Sequence, residues 1–168
     1  IKGHFDRCVI SKYDGLSIDH PIIFLNSIKN IIGDDKDQPS KILLNSLGQT
    51  SNQYPKREDD QEFLDQIAKK GIGLTVFTSD LIESCANYDY EKMEQEAARL
   101  HLVSENGLSA FEILIELALH DFNRLGLFTY HLHRVMNFDK EIVGTWHYTR
   151  CLIKEIVKTE LPHAHENI

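Results

Sequence analysis

The sequence predicts an all-α single domain, and three observations predict it. Apolar residues recur at helical spacing in most segments between residues 20 and 160. Residues that start and stop helices bracket those segments. Strand-like patterning is confined to "RCVIS" and "IGLTVF". The expected architecture is a bundle of six or seven helices, with one short strand near the N-terminus as the β element the pattern admits. A chain of 168 residues, 42% hydrophobic and 26% charged, is long enough to enclose one core. Residues 1–168 therefore read as one helical domain, with 1–18 a poorly defined lead-in and 162–168 a frayed tail.

The opening "IKGHFDRCVISKYDGLS" is the least legible part, because "RCVIS" fits a short strand or a helical turn. "SIDHPIIFLNSIKNIIG" reads as a helix with Pro21 in its first turn, Phe24, Leu25, Ile28, Ile31 and Ile32 on one face, and Gly33 as its stop. "SKILLNSLG" gives a short helix, followed by a polar, Pro-bearing connection in "QTSNQYPKR". "EDDQEFLDQIAKKG" has acids at its start, lysines at its end and Gly71 beyond, which suits a helix dipole at both ends. Its apolar face is Phe63, Leu64 and Ile67.

In "GIGLTVFTSDLIESCANYD", Ile72, Leu74 and Val76 alternate like a strand, while Leu74, Phe77, Leu81 and Ile82 suit a helix. The helical neighbours favour helix. "YEKMEQEAARLHLVSENG" turns Met93, Ala97 and Leu100 inward under an acidic outer face. The most apolar stretch runs from Leu108 to Phe138, with Ser109 and Glu112 at capping-box spacing and Gly126 as the expected bend or break. "DKEIVGTWHYTRCLIKEIVKTEL" closes the chain, with Asp139 as N-cap, Ile142, Trp146, Ile153 and Val157 on one stripe, and Pro162 as terminator. That stripe is expected to dock on residues 111–128.

Charge and cysteine content exclude several functions. The formal charge of −8 divides into +1 over residues 1–32, −6 over 33–100 and −3 over 101–168. Nucleic-acid affinity rests on Lys and Arg neutralising phosphates, and an acidic chain without a basic run argues against it and against a membrane surface. Cys8, Cys85 and Cys151 are odd in number and show no CxxC spacing, so neither a disulfide framework nor a zinc knuckle is signalled. Cys85 and Cys151 sit in helical patterns as small buried hydrophobes. A reducing, cytoplasmic setting is expected, and the start without Met leaves room for a lost targeting segment. No Gly-rich phosphate loop and no G-x-S-x-G elbow occurs.

Seven of the nine histidines follow residue 100. At 100° per residue, Glu112, Glu116 and His120 fall at about 0°, 40° and 80°, one narrow polar stripe on an otherwise apolar helix. The expected reading is a solvated edge. Turned inward, the stripe would instead offer two carboxylates and an imidazole to a divalent metal or iron, with His147 as the further ligand and His131 and His133 on neighbouring turns. A di-iron bundle wants Glu-x-x-His pairs on two helices, whereas Glu116 and His120 are four apart. Asp121 lies on the apolar side and is expected to pair with Arg124 three residues on.

The doublet His120–Asp121 in "LALHDFNRLG" resembles that of HD-type phosphohydrolases over about ten residues. The resemblance implies adjacent His and Asp metal ligands, with His101 and Asp139 as the available outlying partners. No motif around either marks it for that role. The leading expectation is a non-catalytic helical module that recognises a protein partner or a small ligand and needs no cofactor. A metal-dependent helical enzyme is the alternative, and the HD-type hydrolase stands behind it.

Overall fold

A computed structural model describes residues 1–73, 75–138 and 144–161. Among these the chain forms nine α-helices: α1 (Lys2–Val9), α2 (Pro21–Asp34), α3 (Lys41–Ser51), α4 (Asp60–Lys70), α5 (Thr78–Ala86), α6 (Tyr90–Val103), α7 (Ser109–Ala118), α8 (Phe122–Met136) and α9 (Thr145–Thr159). Two 3-10 turns, Ser17–Asp19 and Leu119–Asp121, precede α2 and α8. The all-α class agrees with expectation. The count exceeds six or seven because the lead-in folds as α1 and the long apolar stretch divides in two.

The N-terminal strand alternative reduces to a single antiparallel bridge, Ser11 to Lys56. Arg7, Cys8 and Val9 belong to α1 instead, with Cys8 and Val9 fully buried. Two backbone bonds flank the bridge: Lys12 N–H donates to the Pro55 carbonyl at 2.8 Å and Arg57 N–H to the Ile10 carbonyl at 2.7 Å. These hold the chain after α1 against the chain before α4.

Pro21 opens α2 as expected, and the His20 ring caps it by accepting from Ile22 N–H. The buried stripe is Ile22, Leu25, Ile28 and Ile32, whereas Phe24 and Ile31 are 52% and 54% exposed. The face is rotated from the expected one because α2 must meet α1, α3 and α8 together. Asn26, buried on this helix, bonds His131 of α8. Helix α2 runs on through Gly33 to Asp34.

Between α4 and α5 the expected helix is absent from residues 71–73 and 75–77, and Leu74 lies outside the described residues. Gly71 and Gly73 take φ of +84° and +82°, which ends α4 on a conformation that L side chains resist. The Ile72 carbonyl is then held by the Arg99 guanidinium at 2.7 Å.

The break after α7 falls at Leu119–Asp121, not at Gly126. Asp121 supplies the reason: its carboxylate accepts from Arg124 N–H as the N-cap of α8 and pairs with the Arg124 side chain. Gly126 sits buried inside α8 against the Phe122 ring. Ser109 is the first residue of α7 and not its cap; its hydroxyl donates to Ser104.

Helix α9 is the most enclosed element, packed by α1, α4, α6, α7 and α8. It docks on α7 and α8 as expected, but Trp146 goes elsewhere. Its ring stacks on Phe63 of α4 at 6.0 Å, tilts against His101 at 5.5 Å, and its Nε1–H donates to the Asp60 carbonyl. Ile153 is buried on the same helix. The proposed cap Asp139, Ile142 and the terminator Pro162 lie outside the described residues. All three cysteines are buried free thiols, and no described helix is long and apolar enough to cross a membrane.

Candidate functional site

Of the residues singled out by the sequence, the Glu112, Glu116 and His120 stripe does not gather with His147, whereas His147 and His101 line one cavity. Glu112 in the first turn of α7, Glu116 near its end and His120 in the following 3-10 turn are all exposed. His147 is on α9, where its Nδ1 meets Asp60 Oδ2 at 2.7 Å. His131 is bonded to Asn26, and His133 to Asn137. Among the described residues no group of three or more His, Cys, Asp or Glu side chains is placed to hold a metal ion. The HD-like doublet is similarly dispersed: Asp121 is engaged by Arg124, His101 by the Gly107 carbonyl, and Asp139 is outside the described residues.

The polar chemistry of the fold is concentrated around Asp60, the first residue of α4 and 3% exposed. Arg57, three residues back on the incoming loop, chelates it through Nε and Nη2 at 2.9 and 3.0 Å. Arg150 reaches it from α9 at 2.8 Å and continues to Asp59 and to Glu94 of α6. His147, one helical turn before Arg150, takes the other Asp60 oxygen. Burial opposes a charge on Asp60, yet the hydrogen bonds from His147, Arg57 and Arg150 hold it well below the usual carboxylate range. One carboxylate thus ties the start of α4 to the middle of α9, and Arg150 extends the tie to α6.

A groove of about 980 Å³ opens beside this network, between the 11–14 and 56–59 segments and one side of α9. The buried side chains of Arg150, Cys151, Glu155 and His20 form its floor. Glu155 is buried, accepts a hydrogen bond from the Ser17 hydroxyl at 2.6 Å and pairs with Lys158 at 2.8 Å. Its pKa is raised, burial outweighing the help of Lys158 and Ser17. Lys56 points its ammonium at neutral oxygens, the Ser11 hydroxyl at 2.7 Å and the Ser51 carbonyl at 2.5 Å. Lys12, Asp14 and Glu58 stand exposed at the rim. The lining therefore offers charge of both signs.

Its reactive-looking side chains are locked. His20 Nδ1 accepts the Ile22 N–H, so the neutral ring carries its proton on Nε2, which lies 3.8 Å from Cys151 Sγ and 3.9 Å from Glu155 Oε1. A ring in that tautomer has no free lone pair to take the Cys151 proton. Burial, with Lys158 and Arg57 adding to it, depresses the His20 pKa to about 3, and burial pushes the Cys151 thiol far up. The Cys151–His20 pair thus lacks the thiolate and the base that nucleophilic catalysis needs.

Compared with protein-family models, with curated proteins and with solved structures, the chain matches none. The groove is therefore read from its own residues. Sequence reasoning missed it because its parts come from four separate segments: 11–14, His20, 56–62 and 150–158. One local signal was available. Arg150 and Glu155 fall among the apolar residues of the last helix, and a buried charge requires a partner.

Proposed function

We propose that the protein is a non-catalytic helical binding module whose groove along α9 receives a small polar ligand carrying charge of both signs. The observation that carries this reading is the groove itself: about 980 Å³, at the upper end of the usual range for small-molecule pockets, with a floor of polar side chains fixed by one another. Arg150 and Glu155 are held by three acids and by Ser17 and Lys158 respectively, so the floor is ordered before a ligand arrives. Lys56, whose partners among the described residues are neutral oxygens, and Lys12 at the rim suit an anionic group, and Glu58 and Asp14 at the rim suit a cationic one. The inert Cys151–His20 pair supports binding over chemistry.

Thermal unfolding against a panel of amino acids, short peptides, organic anions and amines tests the reading. Zwitterionic compounds are expected to raise Tm in a concentration-dependent way, with the shift reduced in Lys12→Glu. A flat response across the panel, or a shift that Lys12→Glu and Glu58→Lys both leave intact, refutes it.

A further inference from the structure

We propose that His101 and His147 form a two-imidazole site for a divalent transition-metal ion in a second cavity, separate from the groove. This cavity, of about 540 Å³, lies between the end of α6, the loop that follows it and the start of α9. Gln61, His101, Asn106, Gly107, Trp146 and His147 are among its walls.

The hydrogen bonds set both tautomers. His101 Nδ1 lies 3.1 Å from the Gly107 carbonyl oxygen, which only accepts, so Nδ1 carries the proton. His147 Nδ1 lies 2.7 Å from Asp60 Oδ2, and Asp60, held by Arg57 and Arg150, is an ionised acceptor. In the neutral form each ring is left with its lone pair on Nε2. Metal-binding histidines characteristically donate the other ring N–H to a carboxylate or a backbone carbonyl, which fixes the ring and raises its basicity. Here one histidine has each kind of partner.

The two rings line the same cavity. A cation bound between the rings would use both Nε2 lone pairs. Glycines stand beside both rings: a Cβ at Gly107 would lie 3.1 Å from His101 Cε1, and one at Gly144 3.4 Å from His147 Cδ2. Two imidazoles select zinc, nickel, cobalt or copper over magnesium and calcium. Two protein ligands leave the remaining positions to water or to an anionic group, which makes the site open and exchangeable and not a closed structural centre.

Trp146 is the sole tryptophan, and its ring centre is 5.5 Å from that of His101. Its fluorescence therefore reports on the site. Ni²⁺ or Co²⁺ is titrated into untagged full-length protein carrying His163→Ala and His165→Ala, so that the tail histidines do not compete. The expected result is saturable quenching with one equivalent bound, reversed by excess Zn²⁺. His101→Gln or His147→Gln should weaken it by about tenfold or more, the usual scale for losing part of a metal site. His133→Gln on α8 should leave it unchanged. Because His101 is half buried, its variant is checked by circular dichroism; if it misfolds, His147→Gln, whose side chain is 41% exposed, decides alone. No saturable quenching up to millimolar metal, or quenching that survives His147→Gln, overturns the proposal.

Discussion

Two regions carry clustered charge on helices, and they behave oppositely. Glu112, Glu116 and His120 lie along α7 and the turn after it, in water. Asp60, Arg57, Arg150 and His147 meet between α4 and α9, where Asp60 and Arg150 are buried. The first cluster is visible in sequence because its members are four residues apart in one continuous segment. The second is assembled from residues about 90 positions apart. The difference teaches that helical spacing reveals which side chains share a face, while the cost of burying a charge reveals which of them matter to the fold. Exposed charges exchange one hydrated state for another. Buried ones must be paired or the helix that carries them cannot dock.

The sharpest way to break this comparison is to remove the centre of the buried cluster. Asp60→Ala leaves Arg57 and Arg150 without their shared carboxylate and should cost about 3–5 kcal/mol, the range for breaking a buried pair. Urea unfolding followed by circular dichroism measures it. A loss below about 1 kcal/mol, the scale of an exposed ion pair, would place Asp60 in the same class as the α7 stripe.

A second, intermediate effect concerns pH. His20 is buried and neutral, with its folded pKa depressed to about 3, against about 6.5 when unfolded. Between those values the unfolded chain binds the proton and the folded chain does not, so this group's contribution is complete above about pH 6.5 and is lost as pH falls. Glu155, with its pKa raised, acts in the opposite sense, favouring the fold at lower pH and losing that advantage as pH rises through its folded value. His20→Asn keeps a capping acceptor for Ile22 N–H and removes the titration. The variant should flatten the loss of stability between pH 6.5 and 4.5 by about 1–3 kcal/mol, read from denaturant midpoints at several pH values. An unchanged slope would mean that His20 takes up its proton in the fold.

The smallest effect belongs to the exposed cluster. Glu116→Gln should shift stability by no more than about 0.5 kcal/mol, the scale of ordinary surface substitutions. A larger loss, especially one that varies with added divalent metal, would mean that the stripe works as a site in solution.

Much of the fold was legible from local pattern. Helix α4 is the clearest case: acids at its start, Lys69 and Lys70 at its end, Gly71 beyond, and Leu64 and Ile67 buried. Helix α6 is another, with Met93, Ala97 and Leu100 inward. Pattern failed where two local signals competed. Gly126 looked like the break in the long apolar stretch, but Asp121 could cap a new helix with Arg124 N–H, and the fold breaks there. Phe24 and Ile31 shared a plausible apolar face, yet α2 is rotated to bury Ile22 and to bring Asn26 to His131.

What the sequence by itself determined is the helical class, most helix positions and the solvated nature of a three-residue polar stripe, because these follow from interactions within a few turns of one chain segment. Tertiary structure alone decided that α9, with Arg150 and Glu155 among its buried residues, is the enclosed helix. It also decided that Asp60 gathers Arg57, His147 and Arg150, and that His101 and His147 line one cavity. The physical reason is that a buried charge is stable only beside its partner, and for this chain the partners come from distant helices, so their meeting depends on how every other helix packs.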